Sequence, residues 1–167
     1  MSAQTSYGYS TPIGAPGGIV DLAPHAIDTF LNDEENGVMK FGVGVVDGAT
    51  PGKTVKLPTG ESKSTDFAGI TTNNRHTEYD LDGKIRITKG RPVGVMRYGR
   101  VYGRVAAGET VAYGDAVYLV ASGDDAGCFT NSDSGNIAIK ARFLGGVDAA
   151  TLVAPIELFN QAQESGD

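Results

Sequence analysis

Arginine and tyrosine alternate in one short basic stretch of this acidic chain, "RPVGVMRYGRVYGRV", residues 91–105. If the stretch is a β-strand, successive side chains point to opposite faces of the sheet. The even positions then carry two tyrosines and two arginines side by side: Tyr98, Arg100, Tyr102 and Arg104. Tyrosine and arginine are enriched where proteins bind proteins, because each joins a broad apolar surface to a hydrogen-bonding tip. The chemistry that this face suggests is binding rather than catalysis.

The odd positions of the same stretch are mostly apolar and fit a core, and Arg97 is the exception. Three interpretations of the even face remain open. It could be a protein contact, a solvated strand face with arginine stems lying over tyrosine rings, or a nucleic-acid contact. Nucleic acid is disfavoured, because the flanking acidic segments would repel phosphates.

Residues that could catalyse a reaction do not form a recognisable motif. The two histidines, His25 and His76, are far apart, and no HxxxH, CxxC or GxSxG pattern occurs. The stretch GATPGK at 48–53 misses the phosphate-loop spacing by one residue. DLDG at 80–83 lacks the distant glutamate of a calcium loop, and GDD at 123–125 lacks a partner acidic motif, so both predict turns. We therefore expect no enzyme activity, no catalytic residue, no bound metal and no cofactor.

Cysteine and hydropathy bear on where the chain works. Cys128 is the single cysteine, so no disulfide can form within the chain, which weakly favours assembly in a reducing compartment. The first 18 residues lack the basic and apolar regions of a secretory signal. No apolar run approaches the roughly 18 residues that a membrane span needs.

Charge divides the chain into three blocks. Residues 1–52 hold six acids and one base, residues 53–108 hold five acids and eleven bases, and residues 109–167 hold nine acids and two bases. From Lys84 to Arg104 there are seven bases and no acid. Such a distribution favours association with other copies or with a mixed-charge surface, since opposite patches attract each other and fix the register.

The N-terminal region predicts an extended arm. Residues 1–24 contain three prolines and four glycines without helical or strand periodicity, and Tyr7, Tyr9 and Ile13 are scattered among them. Residues 25–36 fit either a short helix or a continuation of the arm. We expect an arm over 1–36, of which about 1–24 is mobile in the free protein, a β-rich body over 37–160 and a frayed tail over 161–167.

From Val38 onward, short apolar or alternating runs predict strands, and turns rich in Gly and Asp separate them every 8–15 residues. This spacing predicts an all-β fold, a small barrel or sandwich of short antiparallel strands with little helix. The expected core residues are Ile85, Ile87, Val93, Val95, Val101, Val105, Val117, Leu119, Ile139 and Phe143.

Several stretches resemble a known family when they are taken together. They are the Gly/Pro arm before VDLAPHAI (20–27), FGVGVVDG (41–48), VKLPT to FAGIT (55–71), VAAGETVAYGDAVYLV (105–120), GCFT (127–130) and AIKARFLGGV (138–147). In this layout the chain resembles the structural cement, or head decoration, proteins of tailed bacteriophages. The resemblance carries no residue-level site.

The resemblance implies a β-rich body on the outer surface of an icosahedral shell. The implied partners are the major capsid protein and other copies of the chain, with a homotrimer favoured over a dimer, and neither nucleic acid nor membrane is implied. The protein would be assembled in the host cytoplasm and would stabilise the capsid across capsomer boundaries. Tyr98, Arg100, Tyr102 and Arg104, with Tyr7, Tyr9 and Ile13 of the arm, are the candidate interface residues.

Two rival functions come from other classes. A carbohydrate- or cell-surface-binding β module on a virion would need a concave aromatic platform, but tryptophan, the commonest stacking residue, is absent. A small trimeric all-β enzyme would fit the length, but the glycine-rich and Asp-Tyr motifs of a deoxyuridine triphosphate hydrolase do not occur.

Overall fold

The protein is built almost entirely from β-strands. The computed structural model describes residues 13–73, 78–79 and 85–160, and within them the one helical element is a single 3-10 turn at Ser64–Asp66. The strands are β1 (Ala26–Asn32), β2 (Gly44–Asp47), β3 (Thr54–Lys56), β4 (Phe67–Thr71), β5 (Glu78–Tyr79), β6 (Ile85–Arg86), β7 (Pro92–Arg104), β8 (Ala116–Leu119), β9 (Phe129–Thr130), β10 (Ile137–Phe143) and β11 (Val153–Leu158).

Five strands close into a small barrel in the order β1-β3-β2-β4-β7, and β7 pairs with β1 to complete it. The pairing of β1 with β3 is parallel, whereas the other barrel pairings are antiparallel. Each barrel strand contributes apolar side chains to one core cluster, which includes Phe30, Val45, Val55, Ala68 and Val95. Closure leaves the barrel itself without a free edge, which satisfies the backbone groups of its strands there.

The second half of β7 continues into another antiparallel sheet, in the order β7-β11-β10-β8-β9. A second core cluster joins this sheet to the barrel and includes Ile70, Met96, Val101, Phe129 and Phe143. Strands β5 and β6 form a separate two-stranded pair. Among the strands of the described residues, the 13-residue β7 is the one that belongs to both the barrel and the second sheet.

A β-bulge in β7 lets it serve both cores. Ala26 of β1 pairs with Tyr98 and Ile27 pairs with Met96, which leaves Arg97 as the extra residue. Val95 therefore belongs to the barrel core, whereas Val101, also at an odd position, belongs to the second core. The simple alternation expected for 93–105 holds after the bulge. Before it, Met96 is fully buried although its position is even, because both faces of that half of the strand are covered.

The all-β fold expected from the sequence, a small barrel or sandwich, is confirmed. The structure has the closed barrel, with β7 longer than expected and with one parallel strand pairing. Of the two alternatives for residues 25–36, the extended one matches β1. Eight expected core residues are buried: Ile87, Val93, Val95, Val101, Val105, Val117, Leu119 and Phe143. The prediction for Ile139 was wrong. It is half-buried against the second core, because the pairing of β10 with β8 is irregular between Ala138 and Arg142. The side chain of Ile85 lies outside the described part of the chain.

Candidate protein interface

The arginines and tyrosines of β7 occupy one face of the second sheet, which we call the ribbon face (Tyr98, Arg100, Tyr102 and Arg104). Beyond the bulge, the odd positions of β7 are buried and the even ones are half-buried or exposed. Tyr98 is 38% exposed, and 36% of the Arg100 side chain is exposed. The structure thus brings these four predicted residues together, since strand alternation directs them to the same side.

The N-terminal segment, residues 13–20, lies along the edge of β7 beside the ribbon face. The Gly17 N–H donates to the Tyr102 carbonyl at 2.7 Å, and the Tyr102 N–H donates to the Gly18 carbonyl at 2.9 Å. The Val20 N–H donates to the Arg100 carbonyl at 3.0 Å, and Ile19 lies opposite Val101 in an antiparallel bridge. The segment therefore adds a short strand to β7 on the side opposite β11.

Glycines in this segment permit its close approach to the body. A Cβ on Gly14 would come within 2.5 Å of the Tyr102 ring, so the ring lies directly against this residue. Gly17 has a φ of +76°, and a Cβ there would lie 2.6 Å from the Asn73 backbone nitrogen. Its carbonyl accepts the Asn73 N–H at 2.8 Å. Ile13 precedes Gly14 and is 38% exposed, so it borders the ribbon face near Tyr102.

A row of alternating charges crosses the ribbon face. Arg100 Nη1 donates to Asp21 Oδ2 at 2.7 Å, and Arg100 Nε donates to Glu157 Oε1 at 3.2 Å. Arg142 Nε donates to the other Glu157 oxygen at 2.6 Å. The four side chains come from the loop after the N-terminal segment and from β7, β11 and β10, which the sheet sets next to one another.

Both carboxylates in this row are held in their charged form. The pKa of Asp21 lies below its usual value because its carboxylate accepts hydrogen bonds from Arg100 and from the Ala23 N–H. Burial of Glu157 by itself would raise its pKa, but hydrogen bonds from Arg142 and Arg100 outweigh burial, and the pKa is lowered. The row is therefore internally neutralised rather than a bare basic patch.

The other cations of the stretch have partners within the chain as well. Arg104 Nε donates to the Phe41 carbonyl at 2.8 Å, which links the ribbon face to the loop before β2. Arg97, the bulge residue, pairs with Asp28 at 3.5 Å on the surface. The Arg142 guanidinium lies 5.7 Å from the centre of the Phe159 ring.

Sequence reasoning missed the carboxylates of the charged row and the aromatic residue beside it: Asp21, Glu157 and Phe159. The acidic blocks at both ends of the sequence were a signal for the carboxylates, and those blocks were expected to meet the basic stretch of a neighbouring molecule. In the structure, one acid from each block pairs with Arg100 of the same chain. Tyr7 and Tyr9 lie outside the described residues.

The motifs that were read as turns fit that interpretation where the structure describes them. Residues 123–127 form a turn, and Asp125 accepts the Ala107 N–H at 3.2 Å. His76 and all of DLDG (80–83) lie outside the described residues. Cys128 is half-buried, and burial raises the pKa of its thiol.

Across residues 13–73, 78–79 and 85–160, no three His, Cys, Asp or Glu side chains are grouped to hold a metal ion. Within the same ranges, no helix is long and apolar enough to cross a membrane.

Comparison with known proteins identifies the family. A family model described as "Structural cement protein (E217 gp24/Pam3 gp6)" matches residues 3–158. A solved chain from the capsid of Myoviridae phage XM1 has a similar fold, with a TM-score of 0.70 and 17% sequence identity over 97% of this chain and 100% of that one. No curated protein matches the sequence. Because the family model covers nearly the whole chain, this protein belongs to the phage structural cement proteins, a family of capsid-associated structural proteins.

Proposed function

We propose that this protein binds the outer surface of the major capsid shell and stabilises it across capsomer boundaries. The observation that carries the proposal is a partly exposed sheet face of aromatic and arginine side chains on a member of the cement family. Such side chains supply most of the binding energy at protein interfaces when a partner removes them from water.

The ribbon face has the composition of an interface centre. Tyr98 and Phe159 are 38% and 44% exposed. Phe159 follows Leu158, the partner of Gly99, so it lies at the same end of the sheet as Tyr98. Because Asp21 and Glu157 already neutralise Arg100 and Arg142, a partner can cover the charged row without leaving a buried charge unpaired.

Charge supports an outer position on the shell. The chain has a net charge of −6, and its acidic blocks would repel packaged DNA on the inner side of a capsid. On the outside, each copy would add buried area between neighbouring capsomers, about 800 Å² on each partner for an interface of standard size. Many weak contacts acting together would oppose the outward pressure of the DNA.

Substitution of the exposed aromatics tests the proposal. We expect Tyr98→Ala combined with Phe159→Ala to fold normally but to lose most occupancy on undecorated heads, because aromatic hot-spot residues cost more than about 2 kcal/mol when truncated. Occupancy is measured by mixing the variant with undecorated heads and counting bound copies by cryo-electron microscopy. Arg100 and Tyr102 are left intact, since they hold the N-terminal segment.

The matched control is Tyr113→Ala, which removes an aromatic side chain that is 69% exposed in a turn before β8. The control is expected to decorate heads like the wild type. Wild-type occupancy of the double variant would show that the ribbon face is a solvated strand face and would overturn the proposal.

A further inference from the structure

We infer that the edge of β7 at Arg100–Tyr102 is a strand-docking site that residues 13–20 of a second copy of this chain can occupy in place of the chain's own segment. The inference concerns exchange of the N-terminal segment between copies. It does not depend on capsid binding.

The contacts that hold the segment are ones that a second copy can reproduce. Three backbone hydrogen bonds join Gly17, Gly18 and Val20 to Arg100 and Tyr102 of β7. A fourth bond runs from the Asn73 N–H to the Gly17 carbonyl. The side-chain contacts are the Tyr102 ring on Gly14 and the ion pair of Asp21 with Arg100. An identical segment arriving from a neighbouring molecule would make the same set without any change in the body, which is the usual basis of segment exchange between protomers.

The connection between the segment and the body contains spare length. Val20 bonds to Arg100 and Ala26 pairs with Tyr98, so both ends of the five-residue loop 21–25 meet β7 only two residues apart. With Asp21 paired to an Arg100, the four remaining residues 22–25 would span about 14 Å when extended. The loop is therefore long enough to carry residues 13–20 away from their own β7 while β1 stays in its barrel.

Opening this loop costs few contacts. Leu22 is 98% exposed, so extension of the loop breaks almost no apolar contact of this side chain. The bonds within the loop are local: Asp21 Oδ1 accepts the Ala23 N–H at 3.0 Å, and His25 Nδ1 lies 3.0 Å from the Ala23 carbonyl oxygen. Loops of this kind act as hinges in exchanged oligomers.

The shape of the site explains why the occupant is this segment. At Gly17 a Cβ would meet the backbone of Asn73 and Thr71 at 2.6 and 2.9 Å, so a strand with a side chain there does not fit. At Gly14 the Tyr102 ring leaves equally little room. The acid that follows the segment meets Arg100. A second copy carries both glycines and the acid at the required spacing.

Disulfide trapping between two full-length chains tests the inference. Ile19 and Val101 face each other as a pair without mutual hydrogen bonds, since the bonds on either side run from Tyr102 to Gly18 and from Val20 to Arg100. The β-carbons of such pairs lie close together. One chain carries Ile19→Cys and the other Val101→Cys, both with Cys128→Ala. After mixing at high concentration and mild oxidation, we expect a disulfide-linked heterodimer.

Two controls make the result decisive. A single chain with both Ile19→Cys and Val101→Cys should close an internal disulfide, which verifies folding and geometry. Leu22→Cys in place of Ile19→Cys offers a more exposed thiol, 98% against 43% for the native side chains, that is not opposite Val101, and we expect at least tenfold less heterodimer. Adding Asp21→Asn to the Val101→Cys chain should speed cross-linking several-fold, because that chain's own segment then leaves its Arg100 more easily.

The inference is overturned if the double-cysteine chain closes its internal disulfide but the mixed single-cysteine chains stay monomeric. It is overturned as well if Leu22→Cys cross-links as fast as Ile19→Cys, since that would mean random collision. In decorated heads, cross-linking of a strand-edge thiol at Val101→Cys to the major capsid protein alone would assign the site to the capsid instead. The solution experiment contains no heads, so its failure leaves the proposed capsid binding untouched.

Discussion

Arg100 connects three parts of the sequence that lie far apart. Its guanidinium meets Asp21 from the loop after the N-terminal segment and Glu157 from β11, while its carbonyl accepts the Val20 N–H. Guanidinium suits this role because its planar fork can bind two carboxylates at once. The side chain is partly exposed, so the strength of its ion pairs is limited by water and salt. Arg100 therefore positions the N-terminal segment more than it stabilises the body.

Asp21→Asn tests that role through pH. The folded-state pKa of Asp21 is lowered below its ordinary value of 3.8, so the ion pair contributes fully above that value and is lost as pH falls through the folded pKa. At neutral pH, the Val20 amide of the variant should exchange hydrogen roughly two- to fivefold faster than that of the wild type. The ratio should approach one as pH falls below the folded-state pKa of Asp21, which lies under 3.8.

The measurement is amide hydrogen exchange by nuclear magnetic resonance, with both proteins compared at the same pH so that intrinsic exchange cancels. The amide of Val153 in β11 serves as the internal control, because it lies away from the segment in the same sheet. A ratio that stays constant from neutral to acid pH would mean that the charge of Asp21 does not hold the segment.

At the scale of the element, β7 organises the fold. Its first half closes the barrel against β1 and β4, and its second half pairs with β11 in the other sheet. The bulge at Arg97 reverses which positions face which core, so one strand can supply side chains to both. The N-terminal segment then joins the free edge of the second half.

Gly17→Ala tests how closely that segment joins the body. Gly17 and Gly52 have nearly equal φ angles of +76° and +75°, but a Cβ on Gly52 would meet nothing within 4 Å. Gly52→Ala should therefore cost only the backbone strain of a left-handed residue, about 1–3 kcal/mol. Gly17→Ala carries the same strain and must also displace the backbone of Asn73.

We expect the Gly17 variant to be less stable than the Gly52 variant by at least about 1 kcal/mol, measured as free energy of unfolding in urea. A smaller loss at Gly17 than at Gly52 would show that the segment leaves its site without affecting the body.

The expectation that about residues 1–24 are mobile in the free protein stays a prediction, and limited proteolysis checks it. Cleavage within 1–24 should be fast in the free protein and slow in decorated heads, since a segment held by few hydrogen bonds opens easily. In the structure, three hydrogen bonds join Gly17, Gly18 and Val20 to β7, so the cleavage rate reports how often these bonds open. If residues 1–24 resist cleavage in the free protein, the segment is part of the body.

At the scale of the whole molecule, charge is segregated along the sequence and partly paired within the fold. The basic block that contains β7 lies between two acidic blocks in sequence, and the structure brings one acid from each block onto Arg100. Many of the other acidic side chains are exposed, among them Glu35, Asp124 and Asp133. Charged groups at the rim of an interface set its orientation and its salt sensitivity more than its affinity.

Salt should therefore loosen the protein from heads. Exposed charges are screened beyond about 10 Å at 0.1 M ionic strength, so the fraction of copies stripped from decorated heads should rise with salt concentration. The measurement is the amount of protein released into the supernatant after sedimentation of the heads. Release that is constant or falls with added salt would mean that apolar contacts alone hold the protein.

The sequence by itself determined the fold class and the identity of the ribbon face. Alternation of Tyr98, Arg100, Tyr102 and Arg104 with glycine and valine is a local property of a strand, so it could be predicted without any tertiary contact. The same holds for the burial of Val101 and Val105. The family resemblance rested on strand layout and turn spacing, which are local as well.

Only the tertiary structure decided what the ribbon face touches. The pairing of Arg100 with Asp21 and Glu157 joins residues 79 and 57 positions apart, and no local pattern specifies such a contact. The bulge at Arg97 depends on pairing with β1, and without it Met96 is assigned to the wrong face. The place of Gly17 between β7 and Asn73 depends on three backbone segments meeting. Strand periodicity depends only on the local order of residues. The tertiary contacts depend on closure of the barrel and packing of the two cores, which involve residues from the whole chain.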